Sequence, residues 1–258
     1  MVIFVSSIGR SGTRYLADLF SHCTDVIAQH AAEPLCHGDI MVDVYSGVRR
    51  DEVRQKARCV KAEIVSGGAY FESTQVFLRV LAEVFLEEFP SVSVIHLLRD
   101  PLGVACSYVN RQSYPSHPDR PWRMPLNLKR SLFNFPLPLT PMQENLCDWL
   151  ENELLYMELE ARFHRTVEFS FGDLGSAEQI CRMFEELGVQ YRQEDVIYHT
   201  SKQDLDRNAN PRKTRVSRRH RREAESLARR LLDHGFPGEK FRRECYQPFD
   251  FVQRLLAT

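Results

Sequence analysis

A cluster of hydrogen-bond donors follows the short apolar run at residues 2–5, and two glycines, Gly9 and Gly12, lie among these donors. The donor side chains beside the glycines are Arg10, Ser11, Thr13 and Arg14. A glycine turn that opens a helix directs several backbone N–H groups at one point, and the helix N-terminus adds partial positive charge. The residue types and their spacing therefore predict a site for an anion such as a phosphate.

The elements on either side must position this turn. Residues 2–5 are short and rich in β-branched side chains, which is typical of a buried strand. Leu16, Leu19 and Phe20 recur at helical spacing, so we expect a helix over about residues 13–22. A strand-to-helix connection that binds nothing has the same layout, and the turn alone leaves this alternative open.

The turn differs from the phosphate loop of ATP-binding proteins, which needs the pattern Gly-x-x-x-x-Gly-Lys-Ser/Thr. Ser7 occupies the position of the first glycine, and Thr13 occupies the position of the lysine. That lysine reaches the β- and γ-phosphates of a nucleoside triphosphate. Its absence argues against an ordinary nucleotide triphosphatase.

A second candidate anion site follows residues 92–98, a nearly continuous apolar run that predicts a central strand of a parallel sheet. Arg99 follows this strand, and Pro101 suits the first position of a helix that would carry Ser107. Ligands of open α/β sheets bind at the carboxyl ends of the strands. We therefore expect Arg99 and Ser107 to converge on one anion, although Arg99 and Asp100 would also form a simple capping pair.

Groups that could transfer a proton follow the first predicted helix. His30, Glu33 and His37 fall within a short stretch, and Glu33 is expected to be extended because it precedes Pro34. A carboxylate and two imidazoles beside an anion site suit general acid–base catalysis. Solvated loop side chains are the alternative interpretation.

Further periodic segments complete a chain of alternating strands and helices. We predict strands at residues 59–65 and 166–171, and helices at about residues 74–89, 141–162, 176–187 and 217–234. Lys61 falls in the first of these strands, where it would face either the sheet edge or the site. Arg212 and Lys213 precede the last helix and would close over a ligand phosphate, whereas most other basic residues there face water.

Residues 111–141 contain seven of the thirteen prolines together with Tyr114, Trp122, Phe133 and Phe135. This composition predicts a long aromatic loop without regular structure. Such loops in compact domains are usually functional or disordered. The aromatic side chains favour a lid or a substrate wall, and disorder is the alternative.

Composition limits the class of protein. The chain has 258 residues, of which 43% are hydrophobic and 27% charged, as in a globular protein. Because no repeat or linker divides it, we expect one domain over residues 1–258. The net charge of −1 makes a nucleic-acid partner unexpected. No apolar run approaches the roughly 18 residues of a membrane span. Seven scattered cysteines without a Cys-x-x-Cys pair suggest reduced thiols and no zinc site. We predict a soluble, cytoplasmic protein, and make no prediction about its oligomeric state.

Two motifs resemble those of the sulfotransferases. Residues 8–16, Ile-Gly-Arg-Ser-Gly-Thr-Arg-Tyr-Leu, are similar to the 5′-phosphosulfate loop of that family. Residues 94–107 are similar to its 3′-phosphate motif, in the right order and about 90 residues downstream. Residues 33–37, Glu-Pro-Leu-Cys-His, are more weakly similar to a Glu-Pro-Leu-Trp-His run of carbohydrate sulfotransferases, and Trp149 and residues 169–174 also match weakly. The motifs place the chain nearest to carbohydrate and bacterial-type members.

The resemblance implies a single-domain, P-loop-like α/β/α fold of three layers with a central, mainly parallel sheet. It also implies 3′-phosphoadenosine-5′-phosphosulfate (PAPS) as the donor, 3′,5′-phosphoadenosine (PAP) as the product, and no metal. The residues that would hold the 5′-phosphosulfate are Arg10, Ser11, Gly12, Thr13 and Arg14. Those that would hold the 3′-phosphate are Arg99 and Ser107, with Arg212 or Lys213 as a late contact.

The implied reaction is an in-line displacement on sulfur by a hydroxyl or amine of a small-molecule, glycan or lipid-linked acceptor. Glu33 is the first candidate for the base and His30 the second, and Arg10 would stabilise the bridging oxygen of the leaving group. The spacing from residue 25 to Glu33 is longer than in the resembling enzymes. A P-loop small-molecule kinase and a non-catalytic nucleotide-binding relative are the alternative functions.

Overall fold

A computed structural model describes residues 1–9, 12–34, 39–45, 48–64, 68–117, 119, 123, 125–201 and 215–256. The strands are β1 (Val2–Ser6), β2 (Val26–His30), β3 (Ala69–Ser73), β4 (Val92–Leu98) and β5 (Arg165–Ser170). The first five helices are α1 (Thr13–Phe20), α2 (Asp39–Tyr45), α3 (Arg50–Glu63), α4 (Ala82–Glu88) and α5 (Pro101–Val109). The others are α6 (Pro141–Leu159), α7 (Ala177–Leu187), α8 (Gln193–Thr200), α9 (Arg218–Asp233) and α10 (Asp250–Leu256).

The five strands of the described residues form one parallel sheet in the order β2-β3-β1-β4-β5. His30 is in register with Ser73, Ser6 with His96, and Leu98 with Ser170. All five strands therefore run in the same direction and end at the same edge. The observed sheet, with helices on both faces, confirms the predicted α/β fold class.

The core lies on both faces of the two central strands, β1 and β4, whose residues are all buried. Phe4 on one face packs with α4 and α6, and its ring stacks on Phe77 at 4.3 Å between centroids. Ile3 on the other face packs with α1 and α7, where Phe20 meets Phe184 edge to face. Burial on both faces explains why β4, predicted as a central strand, is a nearly continuous apolar run in the sequence.

The predicted strand at residues 59–65 is wrong, because α3 continues through Glu63. A helix brings the buried residues to one face, and the alternation seen in the sequence was the end of this helical pattern. These residues are Val53, Lys56, Ala57 and Val60. Lys61 lies on the exposed face of α3 and pairs with Glu88 at 2.6 Å, so it does not point at the site.

The two strands on one side of β1, its neighbour β3 and the edge strand β2, were not predicted. β2 and β3 form the half of the sheet that carries His30, and both are short. The remaining predicted helices are present: the helix expected at residues 74–89 begins as a π-helical turn at Phe77–Leu81 before α4, and α6, α7 and α9 fall within the predicted segments.

The described parts of residues 111–141 form turns without helix or strand until α6 begins, as predicted. They are packed: Phe135 is buried, and the side chain of Asn127 bonds the backbone of Phe135 twice, at 2.7 and 2.9 Å. Trp122 lies outside the described residues. Among the helices that the structure describes, none combines the length and the apolar composition needed to cross a membrane.

Candidate functional site

The candidate site lies at the carboxyl edge of the sheet, beside β1. The chain leaves β1 to build β2 and β3 on one side and then returns on the other side as β4. A change of direction of this kind opens a crevice at the ends of the strands, where α/β proteins bind ligands. His30, Ser73 and Leu98 end their strands at this edge.

The turn after β1 leads directly into α1, with Gly12 as the helix N-cap in the left-handed conformation, φ +92°. The N–H of Leu16 closes the first turn on the Gly12 carbonyl at 3.1 Å. The first turn contains Thr13 and Arg14 but no acidic residue, and within the described part of the chain no side chain caps it. The N–H groups and partial positive charge of α1 therefore suit an anion. Arg10 and Ser11 lie outside the described residues.

Close packing explains the glycine at position 9. Gly9 has a φ of +89°, and a Cβ atom there would lie 2.6 Å from the hydroxyl oxygen of Tyr108. That hydroxyl donates to the backbone carbonyl of Ile8 and lies 3.2 Å from Oε1 of Gln75. Helix α5 thus holds the turn after β1 from one side. Sequence reasoning did not identify Tyr108.

Arg99 follows β4 at the same edge, and Ser107 lies buried on α5. Asp100 caps α5 by accepting hydrogen bonds from the N–H groups of Leu102 and Gly103, at 3.3 and 2.9 Å. Of the expected Arg99–Asp100 capping pair, Asp100 is therefore the residue that caps the helix. Arg212 and Lys213, the predicted late contacts, lie outside the described residues.

Phe171 is a residue at this edge that sequence reasoning did not assign to the site. Its ring lies 4.1 Å from the Arg99 guanidinium and remains 39% exposed. A Cβ atom on Gly12 would contact both Phe171 and Leu174. The 3₁₀ turn after β5, Phe171–Gly175, therefore brings an exposed aromatic ring between the two candidate anion sites. Its place at the end of a predicted strand was the available signal.

His30, at the end of β2, lies on the other side of β1 from Arg99. Its Nδ1 is 2.8 Å from the hydroxyl oxygen of Ser73, the last residue of β3. Partial burial of the ring lowers the pKa of His30, and the positive charge of Arg14 lowers it further. The structure thus brings His30 into the electrostatic reach of the turn that carries the first anion motif. A neutral imidazole near pH 7 is suited to accept a proton.

Glu33 lies three residues after His30, on the exposed surface of the same segment. One of the two residues between them, Ala32, bonds through its backbone to the buried side chains of Lys56 and Glu72. The structure therefore holds both candidate bases in one short segment beside the ends of β2 and β3. His37 lies outside the described residues.

A buried charge cluster lies beneath the turn after β1. Asp148 on α6 pairs with Arg79 and with Arg123, the latter at 2.8 Å. The Arg123 guanidinium also lies 3.9 Å from the ring of Tyr108. Neighbouring Trp149 is buried among core aromatic side chains. The cluster thus supports Tyr108 from below, and Trp149 belongs to the core.

Metal ligands are not grouped in the part of the chain that the structure describes: no three His, Cys, Asp or Glu residues there could hold a metal ion. The positive groups at the candidate site are side chains and the N-terminus of α1. The residues present can therefore bind an anion through hydrogen bonds and charge.

Comparison with solved structures identifies the type of fold. Mouse sulfotransferase SULT7A1, in a crystal structure with PAP, matches 90% of this chain and 85% of its own length, with a TM-score of 0.51 and 13% identity. The sulfotransferase domain from the curacin biosynthetic pathway matches 88% of this chain and 97% of its own, with a TM-score of 0.50 and 12% identity. The chain has a sulfotransferase fold.

The sulfotransferase fold confirms the family resemblance seen in the two anion motifs, at the level of architecture. No protein-family model matches the sequence, and no curated protein does. Identities of 12% and 13% establish the fold alone. The nearness to carbohydrate and bacterial-type members stays a prediction.

Proposed function

We propose that the protein transfers a sulfuryl group from PAPS to a hydroxyl or amine group of an acceptor. The observation that carries this proposal is the arrangement at the carboxyl edge of the sheet. The N-terminus of α1 follows the central strand β1, with Arg99 after β4 on one side of it and His30 and Glu33 after β2 on the other. An anion site next to a pair of candidate bases is the arrangement that sulfuryl transfer needs.

The donor would span the two anion motifs. In this proposal the 5′-phosphosulfate is held by Arg10, Ser11, Gly12, Thr13 and Arg14, and the 3′-phosphate by Arg99 and Ser107, with Arg212 or Lys213 closing over it. The fit is supported by the first turn of α1, which carries Arg14 and no acidic side chain. The exposed ring of Phe171 offers a flat apolar surface to the nucleotide base.

The proposed reaction is a single in-line displacement. Glu33 or His30 removes the proton of the acceptor as its oxygen or nitrogen attacks sulfur, and PAP leaves. Arg10 and the N–H groups of α1 stabilise the negative charge that develops on the bridging oxygen. If Nδ1 of His30 donates to Ser73, Nε2 keeps its lone pair for the acceptor proton.

The acceptor would enter near residues 111–141, the segment expected to form a lid or substrate wall. Arg130 and Leu132 from this segment line a cleft of about 340 Å³ together with Tyr45 and Leu155. Pockets of roughly 300–1,000 Å³ bind small molecules. Arg79 lines this cleft and also the small polar space beside Ile8, so the two are adjacent. These contacts support a small-molecule acceptor.

Binding of PAP tests the donor assignment. We expect isothermal titration with PAP to show saturable binding without added metal, and ATP with Mg²⁺ to bind far more weakly. A P-loop kinase would show the reverse preference, and failure of PAP to bind would remove the proposal. A non-catalytic relative would bind PAP but release none from PAPS in the presence of acceptors.

Replacement of Glu33 tests the base. If Glu33 is the base, Glu33→Gln retains PAP affinity but loses most of its turnover, by about 100-fold or more. The matched control is Glu178→Gln, which changes an exposed glutamate on α7. Near-normal turnover in Glu33→Gln would assign the role to His30. Acceptors for the assay can be found by incubating the protein with radiolabelled PAPS and extract of the source organism.

A further inference from the structure

A buried ion pair lies directly behind the segment that carries the candidate bases. Nζ of Lys56 on α3 is 2.9 Å from Oε1 of Glu72 on β3, and the two side chains are only 3% and 1% exposed. Burial of two charges is costly, and pairing alone is weak evidence of a stabilising role. The other partners of this pair therefore indicate its role.

Both members of the pair hold the backbone of one residue, Ala32. Nζ of Lys56 donates to the Ala32 carbonyl at 2.5 Å, and the Ala32 N–H donates to Oε1 of Glu72 at 3.1 Å. The second carboxylate oxygen of Glu72 accepts a hydrogen bond from Tyr70 at 2.8 Å. We call Lys56, Glu72 and Tyr70 the Ala32 clamp.

The clamp acts on a segment that has left the regular sheet. After β2 ends at His30, Ala31 adopts a positive φ of +50° and donates its N–H to the Ser73 carbonyl at 3.1 Å. Ala32 follows, bound at both its N–H and its carbonyl, and Glu33 comes next. The backbone between the two candidate bases is thus held by β3 on one side and by α3 on the other.

We propose that Lys56 and Glu72 are positioning residues, which fix the backbone at Ala32 so that His30 and Glu33 keep their placement beside the donor site. This proposal rests on the proposed sulfuryl transfer for its catalytic part. The clamp holds the backbone of Ala32 and lies outside the two anion motifs, so its loss changes the chemical step more than donor affinity. A shift of about 1 Å in a reacting group can lower a rate by about 100-fold.

The test compares Lys56→Met and Glu72→Met with the control Lys61→Met. Lys61 lies on the same helix and is also paired, with Glu88, but on the exposed surface. We expect amide hydrogen exchange in residues 30–34 to accelerate at least about tenfold in the clamp variants, because the Ala32 N–H or carbonyl loses its partner. The control should exchange as the wild type does.

Kinetics and binding complete the test. We expect kcat to fall about 10- to 100-fold in the clamp variants, while the Kd for PAP and the KM for PAPS stay within about twofold of wild type. Unchanged kcat with faster exchange would make the clamp purely structural and overturn the proposal. An equal loss of PAP affinity and kcat would also overturn it.

The double variant Lys56→Met/Glu72→Met guards against misfolding, because it leaves no unpaired buried charge. It should fold and bind PAP but keep the low kcat, since the Ala32 carbonyl still lacks its donor. Recovery of kcat in the double variant would contradict the proposal. If the wild type fails to bind PAP, the proposed function fails, whereas the exchange measurements still decide whether the clamp orders residues 30–34.

Discussion

The hydroxyl group of Tyr108 donates a hydrogen bond to the backbone carbonyl of Ile8. Tyr108 follows Ser107 on α5, and Ile8 lies in the turn between β1 and Gly12. The bond therefore joins the two candidate anion sites across 100 residues of chain. A ligand with two phosphate groups would meet two sites whose relative position is already restrained.

Tyr108→Phe removes this restraint but keeps the ring against the Arg123 guanidinium. We expect the free energy of unfolding to fall by about 1 kcal/mol and PAP affinity to fall several-fold, because the Ile8 carbonyl loses a buried partner. Urea titration and calorimetry measure the two effects. Tyr191→Phe is the control, since its hydroxyl bonds Glu185 at the surface. PAP affinity equal to that of the control would contradict the prediction.

Arg99→Met should weaken PAP binding by about 10- to 100-fold, the effect of losing charge-assisted hydrogen bonds worth about 1.5–3 kcal/mol. The substitution retains an aliphatic chain against the Phe171 ring. Calorimetric titration with PAP gives the affinity. Arg182→Met, at an exposed arginine on α7 paired with Glu186, should bind PAP as the wild type does. Wild-type affinity in Arg99→Met would remove Arg99 from the donor site.

Gly12→Ala should be more damaging than Gly235→Ala. Both glycines have positive φ angles, +92° and +77°, so each alanine carries about 1–2 kcal/mol of backbone strain. Only at position 12 would the new Cβ also meet Leu174, whereas nothing lies within 4 Å at position 235. We expect a larger loss of unfolding free energy in Gly12→Ala, with loss of PAP binding, by denaturation and titration. Equal losses of unfolding free energy in the two variants would contradict the prediction, because they would show that the Leu174 side chain moves aside at little cost.

The pH dependence of turnover tests His30. Burial and Arg14 hold the pKa of His30 below its ordinary value of 6.5, so the imidazole is neutral at pH 7. If His30 is the base, kcat/KM is constant near neutrality and falls as the pH drops below 6.5 through this lowered pKa. Arg14→Gln should move the falling limb to higher pH. A limb that is unchanged in both Arg14→Gln and His30→Gln would exclude His30 as the base.

The pH dependence of stability tests a second histidine, His96, which is fully buried on β4. Burial by itself would lower the pKa of His96, but the charge and hydrogen bond of Glu153, 2.6 Å away, together with Glu168, outweigh burial and raise the pKa above 6.5. Glu168, Tyr156 and Tyr246 also face this ring.

The folded state therefore binds a proton more tightly than the unfolded state does. This contribution to the free energy of unfolding is fully present below pH 6.5 and is lost as the pH rises through the raised pKa of His96, by about 1.4 kcal/mol per pKa unit. Urea titrations at increasing pH measure the slope. Glu153→Gln should flatten it, and an unchanged slope would assign the effect to other groups.

Local patterns were sufficient for the central strands and for the helix starts that carry the two candidate anion motifs. β1 and β4 are nearly continuous apolar runs because both of their faces are buried, and such runs are visible in the sequence. The glycines at positions 9 and 12 and Pro101 mark turns and helix starts through their own backbone preferences. Arg99 was correctly placed after the end of a strand, because the apolar run of β4 stops at Leu98 and Pro101 marks the start of the next helix.

Half-buried segments were predicted less well. The end of α3, with Val60 next to Lys61, has the alternation of a strand over a few residues, and only its packing against α4 shows that it is helical. β2 and β3 are as long as β1, but β2 ends in the exposed Gln29 and His30 and β3 ends in the buried polar residues Glu72 and Ser73, so neither has a distinct apolar pattern. The missed strands carry His30, Glu72 and Ser73.

The sequence by itself determined the central α/β pattern, the two anion motifs and the absence of an ATP-type lysine, since each depends on neighbouring residues. Only the tertiary structure decided how Tyr108 meets Ile8, and that Lys56 and Glu72 enclose Ala32. These contacts join residues on different elements, and their strength comes from burial away from water. The spacing of these residues along the chain does not predict the burial of their contacts, because that burial arises only when the sheet and helices pack together.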